Sequence, residues 1–194
     1  LSPRIKFSFR MFRSVLKSFG LLPYFKFLRA KFFPSEEQKI ENLSKSDKIS
    51  FYKEFIAEGD ICFDVGANIG NRTDVFLSLG AKVIAIEPQN ECCQYLKIRF
   101  GDKIKLENCA LGSIEGDGKI YISETAEISS LSKNWISLVS SSRFVGKEWS
   151  KTEQVKMSTL DLLIEKYGLP KFCKIDVEGF EEDVLKGLSF PIPV

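Results

Sequence analysis

The run Phe63-Asp64-Val65-Gly66-Ala67-Asn68-Ile69-Gly70 decides the fold of this chain. With Ile61 and Cys62 before it, its first half is an apolar stretch of the kind that forms a strand buried on both faces. Gly66 and Gly70 then punctuate a turn, and Thr73–Leu79 carries Val75, Phe76 and Leu79 at helical spacing before Gly80 closes it. A strand, a glycine turn and a helix let a ligand approach the backbone closely, because glycine has no side chain. The start of the helix offers unpaired N–H groups to an anion. At 21 residues after Gly66, Glu87 stands before Pro88 at the end of a second β-branched run, Lys82–Ile86. An acid there accepts hydrogen bonds from both hydroxyls of a ribose. In an open sheet the ligand sits at the carboxyl ends of the strands, where both features fall.

The same rhythm continues toward the C-terminus. Pro88–Phe100 reads as a helix with proline in its first turn, and Lys103–Glu107 as a third strand. Strands alternating with helices predict a parallel sheet with right-handed crossovers. Residues 112–157 break the pattern. Gly112, Gly116 and Gly118 mark turns, Lys119–Ser123 and Gln154–Met157 read as strands, and a Ser-rich stretch with Trp135 and Trp149 lies between them. This reads as a hairpin-like insertion placed to cover a site, with Ser129-Ser130-Leu131 as candidate acceptor lining. A helix over 158–167 is expected to start on a capping box, Ser158 to Asp161, with Leu160, Leu163, Ile164 and Tyr167 on its apolar face. Phe172–Val177 reads as another buried strand and Phe180–Leu188 as a helix.

Toward the N-terminus the character changes. The chain has 194 residues, 28 Lys+Arg, 26 Asp+Glu and no His. Residues 1–35 hold eight of those bases, eight of the 17 Phe and no acid, which leaves 20 bases against 26 acids for the rest. A leader of charge +8 on a body of charge −6 suggests two functional parts. Phe9, Phe12, Leu16 and Phe19 fall on one helical face, flanked by Arg10, Arg13 and Lys17. Gly20 and Pro23 interrupt, and a second helix is predicted from about Tyr24 to Phe33, ended by Pro34. Such a basic amphipathic segment docks on its own domain, lies in a membrane interface through residues 1–33, or meets a partner. No nucleic-acid module is visible, so no nucleic-acid partner is expected. Residues 35–50 read as a polar connector or surface helix, and a short helix is expected over Phe51–Ala57. The expected division is therefore 1–50 as extension and connector and 51–194 as the main domain.

The absence of His removes the Ser-His-Asp triad, His-ligated zinc and any imidazole base. The five cysteines, Cys62, Cys92, Cys93, Cys109 and Cys173, show no CxxC spacing and read as reduced core residues. No run of 18 apolar residues occurs, and charges interrupt any signal-peptide core, so the expected location is cytoplasmic. The chain starts at Leu1 and ends at Phe190-Pro191-Ile192-Pro193-Val194, where a new strand begins, so a fragment is expected.

The choice of cofactor narrows by exclusion. The dinucleotide pattern G-x-G-x-x-G from Gly66 fails at Asn68 and Asn71, and no GK[ST] follows for a P-loop. An acid two residues before the first glycine, with one further glycine at 70, fits an S-adenosylmethionine site, where Asp64 faces positive ammonium and sulfonium groups.

Asp64-Val65-Gly66-Ala67-Asn68-Ile69-Gly70 with Thr73, Glu87-Pro88, Ala110-Leu111-Gly112, Thr159-Leu160-Asp161 and Lys174-Ile175-Asp176-Val177-Glu178-Gly179-Phe180-Glu181 together resemble the FkbM family of methyltransferases, over about residues 58–190. The resemblance implies a Rossmann-like class I methyltransferase fold of the α/β class. Helices would cover both faces of its sheet, here truncated after the fourth or fifth of seven strands and preceded by the basic helical extension. It also implies S-adenosylmethionine as cofactor and O-methylation of a sugar or other small molecule. Carried over, Asp64, Gly66, Asn68 and Gly70 would shape the methionine pocket, Thr73 would sit near its carboxylate, and Glu87 would hold the ribose. Asn108 and Ala110 would flank the adenine. Asp176 and Glu178 are the catalytic candidates, as proton acceptor or orienting group for the acceptor hydroxyl, with Lys174 third. No resident metal is expected, although the two carboxylates are also suited to a divalent cation. An NAD-type oxidoreductase and a non-catalytic or membrane-associated module stand as alternatives.

Overall fold

A computed structural model describes residues 14–16, 18–123, 129–140, 149 and 151–191. Phe9 and Phe12 of the predicted amphipathic face lie outside the described residues, as do 124–128 and most of 141–150 in the insertion. The described elements in chain order are α1 (Leu22–Phe32), α2 (Glu36–Leu43), α3 (Lys45–Tyr52), β1 (Ile61–Val65), α4 (Asn71–Ser78), β2 (Lys82–Ile86), α5 (Asn90–Phe100) and β3 (Ile104–Glu107). There follow β4 (Ala110–Leu111), β5 (Gly116–Ile122), α6 (Lys133–Ser140), β6 (Lys151–Ser158), α7 (Leu160–Tyr167), β7 (Phe172–Ile175) and α8 (Glu181–Lys186).

The main sheet has the order β3-β2-β1-β7, and all its pairings are parallel. Its strands alternate in which layer they feed. Cys62, Val83 and Ala85 face α4 and α5, where they pack on Val75, Phe76, Leu96 and Phe100. Phe63, Val65, Ile84 and Ile86 face the opposite side and pack on Leu160, Leu163 and Ile164 of α7 and Val184 of α8. Apolar residues on both faces of β1 and β2 are what makes these strands continuous hydrophobic runs in the sequence. The chain is thus an α/β fold with helices on both faces of a parallel sheet.

Order within the helices departs from several expectations. The helix expected over Phe51–Ala57 is instead α3, which starts at Lys45 and ends at Tyr52. Tyr52 meets Phe76 and Phe172 edge-on, with ring centroids 5.1 and 5.4 Å away, so this helix is anchored in the core. The division expected at residue 50 therefore falls inside an element that packs on the main sheet. The polar stretch before it folds as α2, opened by Ser35, whose hydroxyl accepts from Gln38 N while Gln38 accepts from Ser35 N. α1 lies along α5: Phe27 and Tyr95 meet edge-on at 6.0 Å, and Lys26 pairs with Glu91.

The insertion contains a second sheet of order β4-β6-β5, in which β4 runs parallel to β6 and β5 runs antiparallel to it. A helix, α6, occupies the Ser-rich stretch where none was expected. α7 is capped by Thr159, whose hydroxyl accepts from Leu162 N at 3.3 Å, and not by Ser158. Asp161 instead receives Ser189 N at 2.8 Å and Ser189 Oγ at 2.6 Å. The last strand is shorter than expected: β7 ends at Ile175, and α8 spans only Glu181–Lys186.

Candidate active site

The site is built from the carboxyl ends of β1, β2 and β7, from the Cys109–Leu111 segment after β3 and from the insertion. After β1 the chain turns at Gly66 (φ +74) and passes through Asn68, a non-glycine residue at φ 51. The turn is pinned to β2, since Gly66 N and Ala67 N both donate to Ile86 O at 3.0 Å. A β-carbon on Gly66 would lie 2.1 Å from Asp176 O, so the turn is in backbone contact with the segment after β7.

Glu87 follows β2 and is 2% exposed. Its two oxygens accept backbone donors from both sides, Asn68 N at 2.8 Å and Gln89 N at 2.9 Å. Burial nevertheless pushes its carboxyl up to about 7, because the desolvation of a charge outweighs these two bonds. Asn108 does not face the same space. Its amide donates to the carbonyls of Glu87 and Pro88, both at 3.1 Å, and so braces the backbone that carries Glu87.

Beneath the Gly66 turn lies a buried charge pair. Asp64 is fully buried; its Oδ2 accepts the Thr73 hydroxyl at 2.6 Å, while its Oδ1 has no hydrogen-bond partner among the described residues. Lys174 Nζ stands 3.3 Å from that oxygen. The same ammonium donates to Val65 O at 3.2 Å and Gly66 O at 3.0 Å, and lies 3.5 Å from Asp176 Oδ2. Parallel pairing of β1 with β7 places Asp64 opposite Lys174, which is why the two share a face. Lys174 therefore joins the glycine turn to the Asp176 segment.

These elements bound an open cleft with about 650 Å³ of space, its solvent-filled mouth included. Of the residues expected to bind the cofactor, Gly66, Asn68, Glu87 and Ala110 line it, and so do both catalytic candidates, Asp176 and Glu178. Asp64, Gly70, Thr73 and Asn108 stand outside its lining. Asp64 and Thr73 are sealed below the turn, and Gly70 opens α4 facing inward, where a β-carbon would strike Phe100 at 2.4 Å and Leu96 at 2.8 Å. The resemblance placed these four against the ligand; the alternation of β1 turns Asp64 toward α4, away from the cleft. Gln89 also lines the cleft and was not anticipated; its signal was its place two residues past Glu87 at the opening of a helix.

The insertion closes one wall through Ile120, Ser129 and Leu131. Ser130 Oγ donates to Glu178 O at 2.6 Å, and Trp135 packs where a β-carbon on Gly179 would lie, 2.2 Å from its ring. Glu178 is held at φ 52, a conformation that a non-glycine residue keeps only when its surroundings enforce it. All five cysteines are free thiols, and burial raises each of them, Cys93 to about 12 and Cys109 to about 11. They are poor nucleophiles at neutral pH. Among the described residues no three His, Cys, Asp or Glu side chains gather into a metal-holding group.

Residues 64–193 match the model of the methyltransferase FkbM domain. The chain belongs to the FkbM methyltransferase family. The match opens at Asp64, so it takes in the glycine turn, Glu87, the insertion and the Asp176–Glu178 segment of this FkbM domain together. No curated protein matches the chain. Among solved structures it is similar to a proposed rRNA methylase from Clostridium thermocellum, with 21% identity and a TM-score of 0.31 over 34% of this chain and 40% of that one. It is also similar to a proposed RNA methyltransferase from Pyrococcus horikoshii, with 28% identity and a TM-score of 0.29 over 32% and 34%. The FkbM chain thus spans less than half the length of either protein.

Proposed function

We propose that this FkbM-family protein uses S-adenosylmethionine to methylate a hydroxyl oxygen of a sugar or other small molecule. The observation that carries this reading is Glu87. It is a buried carboxylate at the end of β2, held by two backbone N–H groups and facing a cleft that it shares with the bare backbone of Gly66. The cleft's residues fit the cofactor. Among the described residues three carboxylates, Glu87, Asp176 and Glu178, line it and no base does, which favours a positively charged ligand, and Cys109, Ala110 and Leu111 give it an apolar wall. When bound, S-adenosylmethionine would supply an electrophilic methyl group.

The chain's own part is binding and proton handling. Glu87 accepts from vicinal hydroxyls, which requires its ionised form. Asp64, Thr73 and Lys174 hold the turn from below. The Asp176 side chain is 64% exposed at the cleft's edge, where an acceptor must enter. Its carboxylate is placed to orient the acceptor hydroxyl and to take its proton as the oxygen attacks. The test is transfer of radiolabelled methyl from S-adenosylmethionine to a panel of hydroxylated small molecules. Asp176→Asn is expected to lower turnover about 100-fold with cofactor affinity retained. Transfer to amines only, or turnover untouched by Asp176→Asn, would overturn it.

Peripheral membrane contact is a separate proposal for the N-terminal segment. Phe19, Leu21, Tyr24, Phe32 and Phe33 are all exposed, beside Arg29 and Lys31. Among the described residues no helix is long and apolar enough to cross a membrane. Flotation with anionic vesicles is expected to carry the chain at low salt. The double variant Phe32→Ser, Phe33→Ser should stay at the bottom of the gradient, and equal flotation of both would refute the contact.

A further inference from the structure

A second hollow opens beside the cleft, lined by Lys119, Tyr121, Leu131, Ser132, Asn134 and Phe180. It holds about 610 Å³ of space, open mouth included. Leu131 belongs to the walls of both spaces, so they adjoin at that residue.

The frame of the hollow is fixed by short bonds. Tyr121 and Ser130 exchange backbone hydrogen bonds at 2.8 and 3.0 Å. Ser132 N donates to Ser130 Oγ at 2.9 Å, and Ser132 Oγ accepts from Trp135 N at 3.1 Å. Ser130 Oγ in turn donates to the carbonyl of Glu178. The hollow is therefore tied to the same turn that carries the catalytic candidates.

The two spaces differ in charge. Among the described residues the cleft is lined by three carboxylates and no base, whereas the hollow is lined by one base and no acid. Among the described residues no acid pairs with Lys119; its ammonium stands 5.9 Å from the ring centroid of Tyr121. Tyr121 and Phe180 add aromatic surface, and Ser132 and Asn134 add side-chain hydrogen-bonding groups.

We propose that this hollow is a subsite for the methyl acceptor and receives an anionic group, a carboxylate or a phosphate, carried by the hydroxyl-bearing molecule. The proposal rests on the methyltransferase reading of the cleft next to it. A cation at Lys119, in a space that adjoins the carboxylate-lined cleft, attracts the acidic end of an acceptor while its hydroxyl end reaches Asp176.

The experiment uses the whole chain saturated with S-adenosylhomocysteine and titrated by NMR with glucose, glucuronate and glucose 6-phosphate. The two acids are expected to bind about fivefold more tightly than glucose, the scale of one exposed ion pair. Whichever acid binds more tightly distinguishes a carboxylate from a phosphate. Lys119→Gln should erase the preference and leave the affinity for S-adenosylhomocysteine unchanged, which also shows that the variant is folded. Equal binding of all three sugars, binding by none, or a preference that survives Lys119→Gln overturns the subsite while the cofactor reading stands. Failure of S-adenosylhomocysteine to bind the unmodified chain overturns the methyltransferase reading, and this subsite with it.

Discussion

A methyl group built on Gly66 would stand 2.1 Å from the carbonyl oxygen of Asp176. The turn that shapes the proposed cofactor site and the segment that carries the proposed base are therefore in direct backbone contact.

Gly66→Ala is the direct consequence. Its β-carbon meets backbone, which yields less readily than a flexible side-chain end, and the residue sits at φ +74, where a side chain is strained. A loss of about 2 kcal/mol or more is expected in urea unfolding. A change within about 0.5 kcal/mol, the range of ordinary surface substitutions, would show that the contact yields easily.

Lys174→Met leaves the Asp64 carboxylate buried without its cation, since the two side chains are 14% and 1% exposed. Breaking a buried pair in this way costs about 3–5 kcal/mol. Adding Asp64→Asn should restore much of the loss, because the uncompensated charge is then gone. Additive losses in this double-mutant cycle would mean that the two side chains are not coupled.

Glu87 makes stability depend on pH. Its carboxyl titrates near 7 in the folded chain and near its ordinary 4.5 when unfolded. A raised folded value means that its contribution is fully present below about pH 4.5 and is lost as pH rises through about 7. Glu87→Gln has no such group. The stability of the natural chain minus that of Glu87→Gln should therefore fall by on the order of 3 kcal/mol across that window. A flat difference curve would mean that Glu87 titrates normally.

The central strands and the Glu87 position were legible because they depend on local signals: continuous apolar runs, glycines and a proline. What was missed depends on contacts distant in sequence. β4 has only two residues and exists because it pairs with β6, Ala110 with Met157 and Leu111 with Ser158. Nothing within residues 110–111 announces that partner. α2 is exposed nearly all round, so residues 35–50 read equally as a connector or a surface helix; the local spacing of Ser35 and Gln38 marks where that helix starts. Asp64 and Thr73 were grouped with the glycine turn, but a motif does not tell which side of the sheet a strand residue faces. The register of β1 and the position of α4 decide that, and they turn both side chains inward.

The most direct test is calorimetric titration of the cooperatively folded chain with S-adenosylhomocysteine, with NAD as the competing cofactor and Glu87→Ala as the variant. Micromolar binding of S-adenosylhomocysteine, none of NAD, and an affinity about 30-fold or more weaker in Glu87→Ala are expected, since that carboxylate would lose charge-assisted hydrogen bonds to the ribose. No binding of S-adenosylhomocysteine, equal binding of NAD, or an affinity unmoved by Glu87→Ala would contradict the account.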